Sequence, residues 1–360
     1  MSLTEQVRGS ILHGNLLLRR KDHAGAVAAY TDAIRAAPEC AEAYHNRGVA
    51  LRALDDTAGA LADAESALRL NPAYAEAYTF RGDLRRTLGD LAAALLDHEK
   101  ALALAPHSAS ALNNRGATRY ELGDLTGAIA DFDAALAIRT SCDSYLNRAA
   151  ARRAAKDLDG ADADCDAALQ LSPNSAAAHV QKGAVHHTRR NFPAAIAEYD
   201  RTLALDPKFY CAYILRGGAR YHLMDGPGAF ADYRLGLDLN PPLAARLIVR
   251  ELADALAVDG TQMLRECELQ LRRDPGNFLA YLSRGLAHSV LGHLTEAESD
   301  LHMFRALRPG DAEHSHLALL LLEAERRRTL LALRASGTPD RCANRAPPGS
   351  RTWVGRTVLE

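Results

Sequence analysis

The stretches AEAYHNRGVALRAL (residues 41–54), AEAYTFRGDLRRTLGD (75–90) and ASALNNRGATRYELGD (109–124) are variations on one line, each starting 34 residues after the last. A fixed period of that length identifies a repeat architecture before any element is assigned. Prolines keep the same step at Pro38, Pro72 and Pro106. Hydrophobic residues make up 48% of the chain and aromatics only 6%, with Ala and Leu dominating. Both are strong helix formers with little preference for strands, so the expected fold class is all-α.

Numbering the repeat so that its closing proline is position 32, repeats begin near Val7, Ala41, Ala75, Ala109, Cys142, Ala176, Tyr210, Ala244 and Phe278. That makes nine. Glycine recurs at position 8 (Gly14, Gly48, Gly82, Gly116, Gly183, Gly217, Gly285), and alanine at position 20 from Ala26 to Ala297. The pattern resembles the tetratricopeptide-repeat family, in which a large residue stands at position 4, Leu-Gly at 7 and 8, an aromatic at 11, small residues at 20 and 27, an aromatic at 24 and Pro at 32. The resemblance implies a right-handed α-solenoid of about nine helical hairpins over residues 1–311, in which small residues at 8 and 20 let paired helices approach closely. Each hairpin leaves an apolar face that only a neighbour can bury, so solenoid ends need caps. Residues 312–336, rich in Leu, are expected to form a capping helix. Residues 337–360, GTPDRCANRAPPGSRTWVGRTVLE, lack helical periodicity and are expected to be a disordered tail.

Two repeats are irregular. The fifth starts one residue early, after Thr140 and Ser141 replace the usual proline, and the eighth has Glu251 at position 8 and Met263 at position 20. The latter predicts helices held further apart, and a possible hinge.

The most conspicuous departure from the family is position 7, which holds Arg47, Arg81, Arg115, Arg148, Arg216, Arg250 and Arg284, with Lys182 in the sixth repeat. Position 23 holds Asp63, Asp97, Asp131, Asp164, Asp232, Glu266 and Asp300, with Glu198 in the sixth. The first repeat has His13 and Ala29, losing base and acid together. Antiparallel helices bring positions of constant sum face to face, and 4 with 27, 11 with 20 and 7 with 23 share a sum of about 30. The row therefore reads as an ion pair inside each hairpin rather than a binding site.

In the family, first helices line a concave groove. Position 6 carries Asn46, Asn114, Asn147 and Gln181, interrupted by Phe80, and carboxamides that donate and accept together can hold an extended peptide backbone. Setting the position-7 bases aside, first helices keep a mild basic excess from residues such as Arg52, Arg86, Arg152 and Arg153, a weak preference for an acidic partner. The expected groove site is Asn46, Arg52, Arg86, Asn114, Tyr120, Asn147, Arg153, Gln181, His187 and Tyr221. Position 5 has no Lys, which argues against the family's clamp for chaperone tails.

The net charge of −2 offers no field for nucleic acid or membranes. Six scattered cysteines form no CxxC, so neither zinc nor a disulfide framework is expected, and a reducing, cytoplasmic setting is the simplest reading. No signal peptide is legible, and the longest apolar run, Leu317–Leu322, cannot cross a bilayer. His186-His187 and His314-x-His316 lack companion ligands at metal spacing, and no phosphate loop or nucleophile elbow occurs. No cofactor is expected. The sequence thus predicts a non-catalytic scaffold or adaptor binding a peptide or partner protein, with self-assembly or a regulatory-subunit role as alternatives.

Overall fold

The structure is a computed structural model that describes residues 3–240 apart from 224, with 247, 251, 264, 265, 267–277, 280, 281, 284, 285, 287, 288 and 293–307. Every element among the described residues is an α-helix. They group into two units, one spanning Met1–Asp157 and the other beginning at Leu158. The division falls within the fifth repeat. The expected capping helix over 312–336 and tail over 337–360 lie outside the described residues, as do Arg250, Met263 and Glu266 of the eighth repeat.

The first unit holds α1 (Leu3–Arg19), α2 (His23–Ala36), α3 (Ala41–Ala53), α4 (Thr57–Leu70), α5 (Ala75–Leu88), α6 (Leu91–Leu104), α7 (Ala109–Glu121), α8 (Leu125–Ile138) and α9 (Cys142–Ala154). Odd and even helices pair as hairpins, α1 with α2 through α7 with α8, and each second helix packs on the next first helix. The second unit holds α10 (Leu158–Leu171), α11 (Ala176–Thr188), α12 (Phe192–Leu205), α13 (Tyr210–His222), α14 (Gly226–Leu239) and α15 (Leu294–Leu307). There α11 pairs with α12 and α13 with α14, while α10 packs on α11 and α12 on α13.

The turn inside each hairpin is built from two positions. Position 16 is an acid or amide that caps the second helix. The side chains of Asp22, Asp56 and Asp124 accept from the N–H of Gly25, Gly59 and Gly127 at 2.9 Å, and Asn191 and Asp225 do the same for α12 and α14. Such caps satisfy a donor that the helix itself leaves orphaned. The residue before the cap is left-handed, with φ of 83° at Gly89 and Gly123 but 63° at Lys21, 64° at Asp55, 67° at Lys156 and 61° at Arg190. Non-glycine residues accept that conformation at a cost of roughly 1–2 kcal/mol each.

Small residues at position 20 are fully enclosed, from Ala26 and Ala60 to Ala195. The role of the position-8 glycine is more specific than close helix approach. A Cβ at Gly14, Gly116, Gly183 or Gly217 would lie 2.5–2.8 Å from the ring of Tyr30, Phe132, Tyr199 or Tyr233, the position-24 aromatic of the same hairpin. At Gly82 the ring is His98. Each glycine is the seat of a ring. In the second hairpin position 24 is Ala64, and Phe80 of α5 moves into the space, 3.1 Å from where a Cβ on Gly48 would stand. Phe80 therefore interrupts the carboxamide row because it fills the core.

The fifth repeat's early start is absorbed by the connection between α8 and α9. Residues 139–141 do the work of four elsewhere, and Ser141, extended at φ −149°, caps α9 by accepting from Ser144 N–H at 3.3 Å.

Candidate partner-binding face

In five hairpins the ion pair joins the two helices of the same hairpin. Arg47, Arg81 and Arg115 each grip Asp63, Asp97 and Asp131 through Nε and Nη2 at 2.6–2.9 Å. Arg216 with Asp232 and Arg284 with Asp300 repeat the fork in the second unit. The five aspartates are buried while the guanidiniums keep partial contact with solvent. A position-4 tyrosine lies against the guanidinium in four of these hairpins, with Arg47 5.6 Å from the centre of Tyr44 and Arg81, Arg216 and Arg284 5.5 Å from Tyr78, Tyr213 and Tyr281.

The aspartate has a second guest that the sequence reading missed. Arg85, Arg119 and Arg220 at position 11, where the family places an aromatic, donate to Asp97, Asp131 and Asp232 at 2.9–3.0 Å. Their co-occurrence with Asp at 23 was the legible signal. The sixth repeat differs from the expected Lys182–Glu198 pair. Lys182 donates to Asp166 on α10 at 2.5 Å, and Glu198 is met by His179 Nδ1 at 2.8 Å and by Arg201. Lysine lacks the fork that spans the hairpin, and the longer glutamate swings to the imidazole at position 4.

First helices of successive hairpins touch one another, α1 with α3, α5 with α7, α7 with α9 and α11 with α13. Positions 2, 6, 9 and 13 form a stripe along one side of each first helix, exposed at Glu42 and Glu76 but buried at Phe80 and Asn147. In the first unit it runs Glu42, Asn46 on α3; Glu76, Phe80, Asp83 on α5; Asn114, Glu121 on α7; and Asp143, Asn147 on α9.

The expected site residues divide by environment. Asn46 and Asn114 are half-buried on that stripe, and neither carboxamide is tied into a hydrogen bond among the described residues. Asn147 is enclosed and donates from Nδ2 to Asn113 Oδ1 of the preceding hairpin at 3.2 Å. Gln181, Tyr120, Arg153 and Tyr221 are buried. Arg52 pairs with Asp83 at 2.7 Å, and buried Arg86 bonds to both Asp83 and Glu121. The Arg52–Asp83 and Arg86–Glu121 pairs cross from one hairpin to the next, while Arg86–Asp83 lies within α5. His187 packs edge-on against Phe192, 5.3 Å between centres, and Phe192 stacks on His222 at 4.4 Å. Gln181, His187 and Tyr221 belong to the second unit and Asn46, Arg52, Arg86, Asn114, Tyr120, Asn147 and Arg153 to the first.

Electrostatically, part of the expected basic excess is engaged inside the stack. In five hairpins the position-7 arginine is spent on a buried aspartate, as are Arg85, Arg119 and Arg220 at position 11, while Arg148 and Lys182 pair with the exposed Asp133 and Asp166, and Arg52 and Arg86 pair with Asp83 and Glu121. Among the described residues Glu42 and Asp143 pair with no base, and Glu76 acts on the neutral imidazole of His45. Withdrawal from water pushes the Asp143 carboxyl above its ordinary range. His45, also on α3, is held neutral by burial, its pKa lowered to about 4. Glu251 of the eighth repeat points back at the seventh, its carboxylate 2.8 Å from where a Cβ on Gly218 would stand and 3.8 Å from His187 Nε2. No group of three or more metal-binding side chains occurs among the described residues, and no described helix is long and apolar enough to cross a membrane.

A family model described as tetratricopeptide repeat matches residues 11–75, 45–105, 81–141 and 186–244. Together these matches span more than half of the chain. The chain belongs to the tetratricopeptide-repeat family. Solved structures with the same fold include the APC/C hetero-tetramer Cut9–Hcn1, at TM-score 0.56 and 22% identity over 60% of this chain. This chain spans 43% of that one. A tetratricopeptide repeat protein from Parabacteroides merdae matches at TM-score 0.51 and 17% identity over 78% of this chain and 98% of its own. Pseudomonas aeruginosa PilF matches at TM-score 0.50 and 16% identity over 57% and 94%. No curated protein matches the sequence. As a tetratricopeptide-repeat protein the chain is, in general terms, a scaffold for protein–protein interaction.

Proposed function

We propose that this tetratricopeptide protein is a non-catalytic scaffold that holds an extended segment of a partner protein against its first helices, with α3, α5 and α7 contributing most. The observation that carries this reading is the pair of carboxamides at position 6 of α3 and α7, Asn46 and Asn114, which make no hydrogen bond among the described residues. An amide that both donates and accepts pairs with a peptide backbone whatever its side chains. The acidic preference expected from the sequence does not enter this reading, because Arg52 and Arg86 are engaged by Asp83 and Glu121.

Selection from a displayed library of extended peptides tests the reading. Peptides enriched on the wild-type chain should bind the Asn46→Ala/Asn114→Ala variant about 5- to 30-fold more weakly, from two hydrogen bonds of ordinary strength. Equal binding to both proteins, with thermal stability unchanged, rules out this face.

A further inference from the structure

One side of α1 lacks the cover that its counterparts have in α3 and α5. Positions 3 and 10 of a first helix lie under the second helix before it. Ala43 and Ala50 of α3 are fully buried in the cluster built on Ala26, Tyr30 and Ala33 of α2, and Ala77 and Leu84 of α5 are buried against α4. The same positions of α1 are Gly9 and Leu16. Leu16 is 44% exposed and Leu12 beside it 60%, and a Cβ on Gly9 would meet nothing within 4 Å. A separate set, Val7, Ile11, Leu17 and Leu18, serves the core of the first hairpin. Leu12 and Leu16 are therefore apolar surface beyond what that hairpin uses.

The charges along the same side indicate what covers it. Glu5, Gly9, Leu12, Leu16 and Arg19 follow one another at steps of three and four, share one side of α1, and are all exposed. Neither Arg19 nor Arg20 makes an ion pair among the described residues. An antiparallel copy of α1, with Leu12 on the two-fold axis, opposes residues whose numbers sum to 24 or 25. Leu12 then meets Leu12 of the other copy, Leu16 enters the notch left by Gly9, and Glu5 stands against Arg19 and Arg20. The stripe is thus complementary to itself in shape and in charge, as an isologous contact requires. A parallel copy would set Arg8, Arg19 and Arg20 beside themselves.

We propose that α1 is a homotypic docking surface, on which a second copy of this chain seats its own α1 antiparallel to form a two-fold dimer. One helix against one helix buries less than a standard interface, so the dimer is weak and dissociates on dilution. The inference is independent of the peptide-holding reading, which concerns Asn46 and Asn114.

Sedimentation velocity of the full chain over about 1–100 µM should show monomer giving way to dimer. Leu12→Glu, at an exposed site, removes the apolar centre and sets two like charges on the axis. It should weaken dimerisation on the order of a hundredfold while leaving the helical circular-dichroism signal unchanged. Glu5→Arg and Arg19→Glu/Arg20→Glu each oppose like charges twice, and each alone should weaken it about tenfold. Mixed together, those two variants should recover association as a heterodimer, because both junctions are then complementary. A chain that stays monomeric throughout overturns the proposal, as does a dimer unmoved by Leu12→Glu. Charge variants that associate no better mixed than alone overturn it too, by excluding the antiparallel register. If the chain is monomeric while library peptides still depend on Asn46 and Asn114, the proposed function stands and this inference alone falls.

Discussion

Asp131 accepts from two guanidiniums at once, Arg115 through a fork and Arg119 through one bond, while itself almost out of solvent. Truncating it strands two cations, and Asp131→Ala should cost about 3 kcal/mol in chemical denaturation, at the lower end for buried pairs because both arginines still touch water. Arg115→Leu in that background should restore part of the loss, with Arg119 retaining the remainder. Strictly additive losses would show that the side chains do not interact. His98 poses the opposite problem, an imidazole in an aromatic's place. It is fully enclosed, neither ring nitrogen has a described partner, and burial lowers its pKa from 6.5 to about 4. Because the folded pKa is depressed, its neutral form is favoured by folding, and stability is full above pH 6.5 and lost as pH falls toward 4. The loss should reach about 2 kcal/mol at pH 5. Thermal melts of wild type and His98→Phe between pH 7 and pH 5 should diverge, with the variant flatter. Parallel curves would contradict the assignment. His98→Phe is sterically reasonable because Phe132 occupies the equivalent seat over Gly116.

At the scale of the helical hairpin, the glycine at position 8 and the ring at position 24 act as one unit. Gly116→Ala would press a methyl into Phe132, the nearest ring carbon at 2.8 Å, and should cost roughly 1–3 kcal/mol. Gly48→Ala meets Phe80 Cε1 at 3.1 Å, the Ala60 carbonyl at 3.2 Å and Asp63 Cβ at 3.3 Å, a milder approach than at Gly116, and the helix-propensity gain of alanine should bring it near neutral. Equal midpoints for the two variants in urea would dismiss the seating account. Hairpin pairing was legible from the sequence because position sums fix which side chains oppose each other. So was the Arg–Asp fastener, whose columns vary together. The second arginine on Asp97 and Asp131 was not, since a column at position 11 was measured against the family's aromatic rather than against the acid opposite. Nor was the neutralisation of Arg52 and Arg86, because those partners lie 31 and 35 residues away, across hairpins, where the within-repeat sums say nothing.

Among the described helices, the main contacts join near neighbours in sequence, and stability should behave as a sum over hairpins and their junctions. Hydrogen exchange should therefore show the effect of Asp97→Ala in α5, α6 and the helices beside them, while α13 and α14 keep their protection factors within about twofold. Loss of protection throughout would reveal one cooperative unit. The hairpin repeat and helical architecture of the described residues follow from periodicity alone, but the division at Leu158 does not, because the repeat pattern runs through it with a single missing residue. The site was legible only in outline. Sequence spacing places Asn46 and Asn114 on a common side, yet which charges remain unspent depends on three-dimensional pairings.

The fork between Arg115 and Asp131 has a bearing on how such a chain is inherited. Both halves of the fastener are encoded within the same 34-residue segment, so a duplication or deletion of one whole segment copies or removes acid and base together. No orphaned charge results, and the lengthened or shortened gene still specifies intact hairpins. The bridges from Arg52 to Asp83 and from Arg86 to Glu121 have no such protection, since a break between segments separates donor from acceptor. Copy number can drift cheaply at fastened hairpins, whereas the junctions joining the second, third and fourth repeats hold their order in place.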